Sequence, residues 1–263
     1  MAHSNASSVS AGLAGKVAYV PGGSGVIGQT VARGLAAAGA KVVVASPESE
    51  KLEALVKAIS AQGGEARATG LDATSVKDIA RSVDAVCDYF GRCDILVNCV
   101  GIHREQLLLE ATEDSYDSVI AINLKAGMFL GQAVARRQVQ AGQGGRHVHI
   151  LSVRAKLGLR GKGYSAYTAS KGGLAMIVKQ HAVELAPHQI NVNGVAPTFV
   201  MSEMAGHMLN NPEQKAQLFE RIPLGRVADP EDVVGPTLFF CGPAANFVTG
   251  QILYVDGGLT ACQ

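Results

Sequence analysis

Short runs rich in Val and Ile recur along the 263-residue chain between longer alanine-rich stretches, and that alternation restricts the fold more than any single motif. Strands are read at 16–20, 41–45, 65–69, 95–98, 146–152, 189–195 and 251–255, and helices at 26–38, 48–62, 75–90, 115–141, 164–186 and 230–241. Strands that are apolar throughout, rather than alternating, belong to a parallel sheet covered by helices on both faces. The expectation is an α/β protein with a single doubly wound, seven-stranded parallel sheet. No linker or internal repeat interrupts the rhythm, so one domain is read at 13–263 after a tail at 1–12. The exception is the polar, Met-containing stretch 198–226, whose length suits a lid. Gly39, Gly63, Gly64 and Gly91 each follow a helical stretch, where a left-handed C′ residue is expected.

Charge narrows the partners. Lys and Arg number 23 against 22 Asp and Glu, a net charge of +1 with no long run of either sign. That excludes the basic footprint of a nucleic-acid binder and the face of a membrane-surface helix, leaving a small molecule as the expected ligand. No apolar run approaches the roughly 18 residues of a membrane span, and residues 1–11 lack a basic and apolar leader pattern. The five cysteines are odd in number and contain no C-x-x-C pair, so reduced thiols in a cytoplasmic protein are expected. Glycine is in surplus, 31 of 263 residues, against a usual share of about 7%.

Part of that surplus is explained where the first strand runs into Pro21-Gly22-Gly23-Ser24-Gly25-Val26-Ile27-Gly28. Gly23, Gly25 and Gly28 spell G-x-G-x-x-G between a strand and a helix, the arrangement that lets backbone and a helix N-terminus approach a pyrophosphate. Dinucleotide contacts are therefore expected at Gly22, Ser24, Gly25, Val26, Ile27 and Gly28 of a Rossmann-type domain. An acid at the end of the second strand would accept the adenosine 2′-hydroxyl and a base would favour a 2′-phosphate. Ser46 stands there and donates to either, so the cofactor is NADP(H) or NAD(H), with a lean to NADP(H).

Tyr167 and Lys171 form Y-x-x-x-K at the start of an Ala/Gly-rich helix, where i, i+4 spacing puts both on one face. With Ser152 at a strand end, Asn123 in a long helix and the glycine loop upstream, the chain resembles the short-chain dehydrogenase/reductase family from about residue 13 to 258. Asn98-Cys99-Val100-Gly101 is similar to the family's N-N-A-G, and 197–202 to its P-G-x-[IV]-x-T. Residues 226–232 and 248–258 match its closing segments. The resemblance implies catalysis by Asn123, Ser152, Tyr167 and Lys171. It implies further cofactor contacts at Asp72, Ala73, Asn98, Gly101, Tyr167, Lys171, Pro197, Val200 and Ser202. It also implies a homotetramer paired through the helices at 115–141 and 164–186.

Acid–base assistance to hydride transfer follows from these groups. Tyr167 exchanges a proton with the substrate oxygen. An unperturbed tyrosine at about 10 is a poor base at neutral pH, so a neighbouring cation, Lys171, is required. The resemblance implies that Ser152 would orient the oxygen and that Asn123 would hold a water leading from Lys171. Several residues depart from the family pattern: Val26 stands at the usual middle glycine, and Pro21, Cys99, Val100 and Thr198 replace common residues. Ser152 lies two residues further from Tyr167 than the commonest spacing, at which Arg154 falls.

His103, Arg154 and Leu157 are expected to line the substrate pocket. Residues 102–104 and 152–158 resemble gluconate 5-dehydrogenase-like members. The reading is oxidoreduction of a small polar carbonyl or alcohol, a sugar acid, polyol or oxo-acid. The alternatives are a 3-oxoacyl-acyl-carrier-protein reductase and a catalytically silent nucleotide-binding sensor or structural protein. His147 and His149 share one face of a strand, but spacing offers no third ligand and no metal is expected.

Overall fold

A computed structural model of the protein describes residues 12–201 and 212–262. Seven strands form one sheet in the order β3-β2-β1-β4-β5-β6-β7, every neighbouring pair parallel. They are β1 (Val17–Pro21), β2 (Lys41–Ser46), β3 (Ala66–Gly70), β4 (Ile95–Asn98), β5 (Gly145–Ile150), β6 (Ile190–Pro197) and β7 (Ile252–Val255). The chain builds outward from β1 to β3 and then crosses back to place β4 on the other side of β1. Loops leaving β1 and β4 therefore diverge, and a crevice opens between them at the carboxyl ends of the strands.

The helices are α1 (Val26–Ala37), α2 (Ser49–Ala61), α3 (Val76–Phe90), α4 (Glu113–Ile120), α5 (Ala126–Ala141), α6 (Ser165–Leu185), α7 (Pro212–Glu220) and α8 (Val234–Cys241). Strand side chains alternate between two apolar layers. Val42 and Val44 pack with Val31, Leu35 and Phe240 on one face, while Val43 packs with Ile79, Val83 and Leu130 on the other. Both layers are sealed from water, which is why β2 reads as an unbroken apolar run. Local signals set the helix ends. The Ser75 hydroxyl accepts the Asp78 amide at the start of α3, and Gly91 ends it at φ 74°, its amide donating to the Cys87 carbonyl.

Gly39 and Gly63 also have positive φ, but Gly64 does not. A Cβ at Gly64 would come within 2.7 Å of the Ile59 side chain, so close packing rather than a left-handed turn calls for glycine there. The strand expected to reach Ser152 ends at Ile150, because Ser152 leaves the ladder to cap a short 3-10 turn, Val153–Ala155.

The helix expected over 115–141 is α4 and α5 joined by one π turn, Ala121–Lys125. Its extra residue turns Asn123 inward, where Oδ1 accepts the Ile102 amide at 2.8 Å and Nδ2 donates to the Ile102 carbonyl at 2.9 Å. Together Glu113–Ala141 are long and apolar enough to cross a membrane by length and composition. Val119, Leu130 and Val134 are fully buried against the rest of the protein, which makes this a core helix.

Two histidines lie inside the sheet. His147 donates from Nε2 to the Gln138 amide oxygen at 3.0 Å, and His149 accepts at Nδ1 from the Asn98 amide at 3.2 Å. Burial penalises the charged rings, lowering His147 from 6.5 to about 3 and His149 well below its ordinary value. An unfolded chain takes up those protons near 6.5, so stability is whole above that value and is lost as pH falls through it. At about pH 5 the loss is about 2 kcal/mol for each ring. Urea midpoints should therefore drop markedly between about pH 7.5 and about pH 5, and His147→Gln should flatten the difference; equal midpoints would refute this.

Candidate active site

A cleft of about 310 Å³ opens where β1, β4, β5 and β6 end, lined by residues that include Ile27, Cys99, Gly101, His103, Ser152, Arg154, Tyr164, Tyr167, Lys171 and Pro197. A larger hollow of about 770 Å³ lies against Lys16, Asp94, Arg146 and Asn191 at the opposite edge of the sheet, and none of the residues singled out for chemistry faces it.

The glycine loop forms one wall. Gly22 has φ 80° and its amide donates to the Ala45 carbonyl at 2.8 Å, holding the loop down on β2. A Cβ on Gly22 would stand 2.5 Å from the Cys99 carbonyl carbon, and one on Gly28 2.2 Å from the Gly22 carbonyl oxygen. Neither position admits a side chain. Gly25 is different: a Cβ there meets nothing closer than 3.5 Å, and Val26 after it opens α1 with 40% of its surface exposed. The first turn of α1 carries no acidic residue, so its positive end is left uncompensated. This side-chain-free cradle in front of a helix N-terminus fits a pyrophosphate.

The loop after β2 is tied back to the glycine loop. Ser46 is buried and its hydroxyl accepts the Glu48 amide at 3.2 Å. The Glu48 carboxylate instead receives the Ser24 hydroxyl at 2.8 Å, and that bond, with lesser help from Ser46, holds it below the usual carboxylate range. Glu48 lies 20 residues beyond Gly28, a spacing that marks the ribose-binding acid in dinucleotide folds. That spacing was the signal available in sequence. Asp72 and Ala73 sit just past β3, where Asp72 accepts from the Thr74 amide and hydroxyl at 2.9 and 2.7 Å. Asn98 is turned inward, its Oδ1 accepting the Val100 amide at 3.0 Å.

Helix α6 delivers Tyr167 and Lys171 to the cleft floor. Lys171 Nζ donates to the Ile150 carbonyl at 2.9 Å and lies 5.8 Å from the Tyr167 ring centre. Burial lowers Lys171 to about 8. Gly101 separates Lys171 from Asn123: a Cβ there would be 3.3 Å from Nζ and 3.6 Å from Asn123 Oδ1. The Asn123 amide nitrogen also donates to the Ser170 hydroxyl at 3.0 Å. Ser152, Arg154 and Tyr167 line the same cleft. Burial raises Tyr167 above its ordinary 10, opposed first by Ser152 and then by Arg154. Desolvation is thus the largest influence on the phenol and favours its protonated form.

His103 stacks 4.0 Å from Tyr164 and 5.1 Å from Tyr167, centre to centre, and both its ring nitrogens are buried without a partner among the described residues. Tyr164 was not singled out in sequence, although it stands three residues before Tyr167 and so shares its helix face. Arg154 faces the cleft, but Leu157 does not line it: the Leu157 carbonyl accepts from Arg154 at 3.3 Å. Pro197 and Val200 line the cleft, and Val200 pairs in parallel with Ala228. Ser202 lies outside the described residues.

A family model described as enoyl-(acyl carrier protein) reductase matches residues 23–260. Gluconate 5-dehydrogenase of Gluconobacter oxydans is 36% identical over 94% of this chain and 96% of its own length. 5-Keto-D-gluconate 5-reductase of Escherichia coli strain K12 is 34% identical over 94% of this chain and 96% of its length. A crystal structure of a gluconate 5-dehydrogenase from Burkholderia cenocepacia in complex with NADP and tartrate superposes with TM-score 0.91 at 31% identity, covering 97% of this chain and 98% of that one. The chain belongs to the short-chain dehydrogenase/reductase family. It is an NAD(P)-dependent oxidoreductase that interconverts alcohol and carbonyl groups.

Because a carboxylate beside a 2′-phosphate is repulsive, Glu48→Gln should strengthen NADPH binding about fivefold relative to NADH. Fluorescence titration of both reduced cofactors measures it, and an unchanged ratio would place Glu48 away from the ribose.

Proposed function

We propose that this chain transfers a hydride between NAD(P)(H) and a small polar carbonyl or alcohol, a sugar acid, polyol or oxo-acid, with Tyr167 as the acid–base group. The observation that carries the reading is the meeting of Ser152, Tyr167 and Lys171 at one cleft beside the glycine cradle. The nicotinamide, when bound, gives or accepts the hydride at the substrate carbon. In reduction Tyr167 hands its phenolic proton to the carbonyl oxygen as that oxygen gains charge, and in oxidation it takes the proton back. Its burial favours the protonated donor form. Ser152 donates to the same oxygen and stabilises the developing charge. Lys171, buried and cationic below about 8, supplies positive charge beside Tyr167 and a donor for the nicotinamide ribose. Asn123 fixes the turn at Ile102 that frames Lys171.

The Burkholderia relative crystallised with NADP supports NADP(H) as cofactor, and Glu48 narrows the margin over NAD(H). The single catalytic unit is read at 13–263, with a lid at 198–226 whose residues 202–211 lie outside the described residues. Around them, Leu218, Ile222 and Val227 pack with Phe199, Met201 and Leu259, tethering both ends near the cleft mouth. A homotetramer is supported by apolar side chains left outward on α6, Met176 at 60% exposure and Val183 at 71%. The five unpaired cysteines suit a reducing cytoplasm.

Tyr167→Phe should cut kcat about 10³-fold while leaving NADPH affinity unchanged. Steady-state assay with 5-keto-D-gluconate, and with acetoacetyl thioester as the competing substrate class, checks it. Activity surviving the change would remove Tyr167 from the chemistry, and turnover of the thioester alone would favour a carrier-protein reductase.

A further inference from the structure

Resting on that reading, we infer that Arg154 anchors a carboxylate on the substrate, so that the enzyme selects hydroxy acids over neutral polyols of the same carbon skeleton. Arg154 is 6% exposed, yet it forms no ion pair among the described residues. Its bonds to the described residues run through one nitrogen, Nη1, which donates to the carbonyls of Leu157 at 3.3 Å and Gly158 at 2.5 Å. A guanidinium carries five N–H donors in a planar fork, so Nε and Nη2 remain for a ligand. Removing such a charge from water without a counter-ion is costly, and the two carbonyls only partly offset that cost.

Among the described residues the surroundings supply no counter-ion. No Asp or Glu lines the cleft among the described residues. Glu105, within electrostatic reach of His103 and Tyr164, is paired with Lys162 at 3.1 Å. Arg221 adds a second positive charge within electrostatic reach, and the phenols of Tyr164 and Tyr167 are neutral. A negative charge on the substrate would meet the free side of the guanidinium. The same cleft holds further polar atoms awaiting partners, both ring nitrogens of His103 and the Thr198 hydroxyl, each buried and unpartnered among the described residues. A carboxylate on the Arg154 fork and chain hydroxyls on His103 and Thr198 would satisfy all three side chains at once, with the reacting oxygen at Tyr167. The specified ligand is a short polyhydroxylated acid.

A purely structural Arg154, closing the loop onto Leu157 and Gly158, would affect every substrate alike. D-Gluconate and sorbitol separate the two roles, since they differ only in a terminal carboxylate against a CH2OH. Wild-type kcat/KM should favour gluconate, and Arg154→Gln should lower it for gluconate about tenfold or more through KM while moving sorbitol little. Arg154→Lys should fall between. Tartrate binding to the cofactor-loaded protein, read as a shift in thermal midpoint, supplies a second measure that needs no turnover. Equal losses for both substrates, or an unchanged KM for gluconate, would overturn the assignment. If neither compound is turned over, the small-polyol reading fails while tartrate still decides the anchor. A shift in wild type that disappears in Arg154→Gln supports it, and no shift or equal shifts overturn it.

Discussion

Everything at the carboxyl edge of the sheet depends on one close backbone approach, Gly22 against Cys99. β1 and β4 are neighbours in the sheet although 78 positions separate Val17 from Ile95 in the chain, and their outgoing loops have to pass each other before they part. With hydrogen in place of a side chain at Gly22 the two backbones touch, and Gly28 can fold its helix turn onto the Gly22 carbonyl. Widening that contact would tilt α1 away from the crevice and separate the cradle from Lys171, which α6 brings in from the other half of the chain.

Desolvation rather than charge pairing governs the cleft. Lys171 falls, Tyr167 rises and His103 falls, each chiefly because the folded chain excludes water from it. Tyr167 and His103 are thereby held toward their neutral forms, while Lys171, lowered only to about 8, stays cationic at neutral pH. Arg154 stands apart, because a guanidinium stays charged under any such bias.

Much of this was legible in sequence because a buried parallel strand announces itself by unbroken β-branched residues and because steric demands on glycine are absolute. The seven strands and the Tyr167–Lys171 spacing follow from patterns local to one element, whereas Ser152 is singled out by a family pattern that spans the chain. What escaped notice lies between elements. The tie between Ser24 on the glycine loop and the Glu48 carboxylate past β2 joins two loops that are far apart in the chain. Tyr164 lines the cleft with its ring against those of His103 and Tyr167. Leu157 turns its carbonyl instead of its side chain to Arg154, and Gly64 answers to Ile59 rather than to its own φ. The depth at which Tyr167 is buried was likewise not legible, since i, i+4 spacing carries no measure of it.

The π turn between α4 and α5 gives the two chain segments framing the cleft opposite tolerances to changes in length. The loop after Ser152 has absorbed two residues beyond the common spacing and still presents Ser152 to Tyr167, because an exposed turn takes up slack. In Ala121–Lys125 the surplus residue is wound into a helix, and losing it would rotate all of α5 by about 100°. Leu130 and Val134 would swing off the sheet and Asn123 away from Ile102. Deletions should therefore be absorbed by the loop and rejected by the helix, a difference in evolutionary freedom between two stretches that lie side by side in the folded chain.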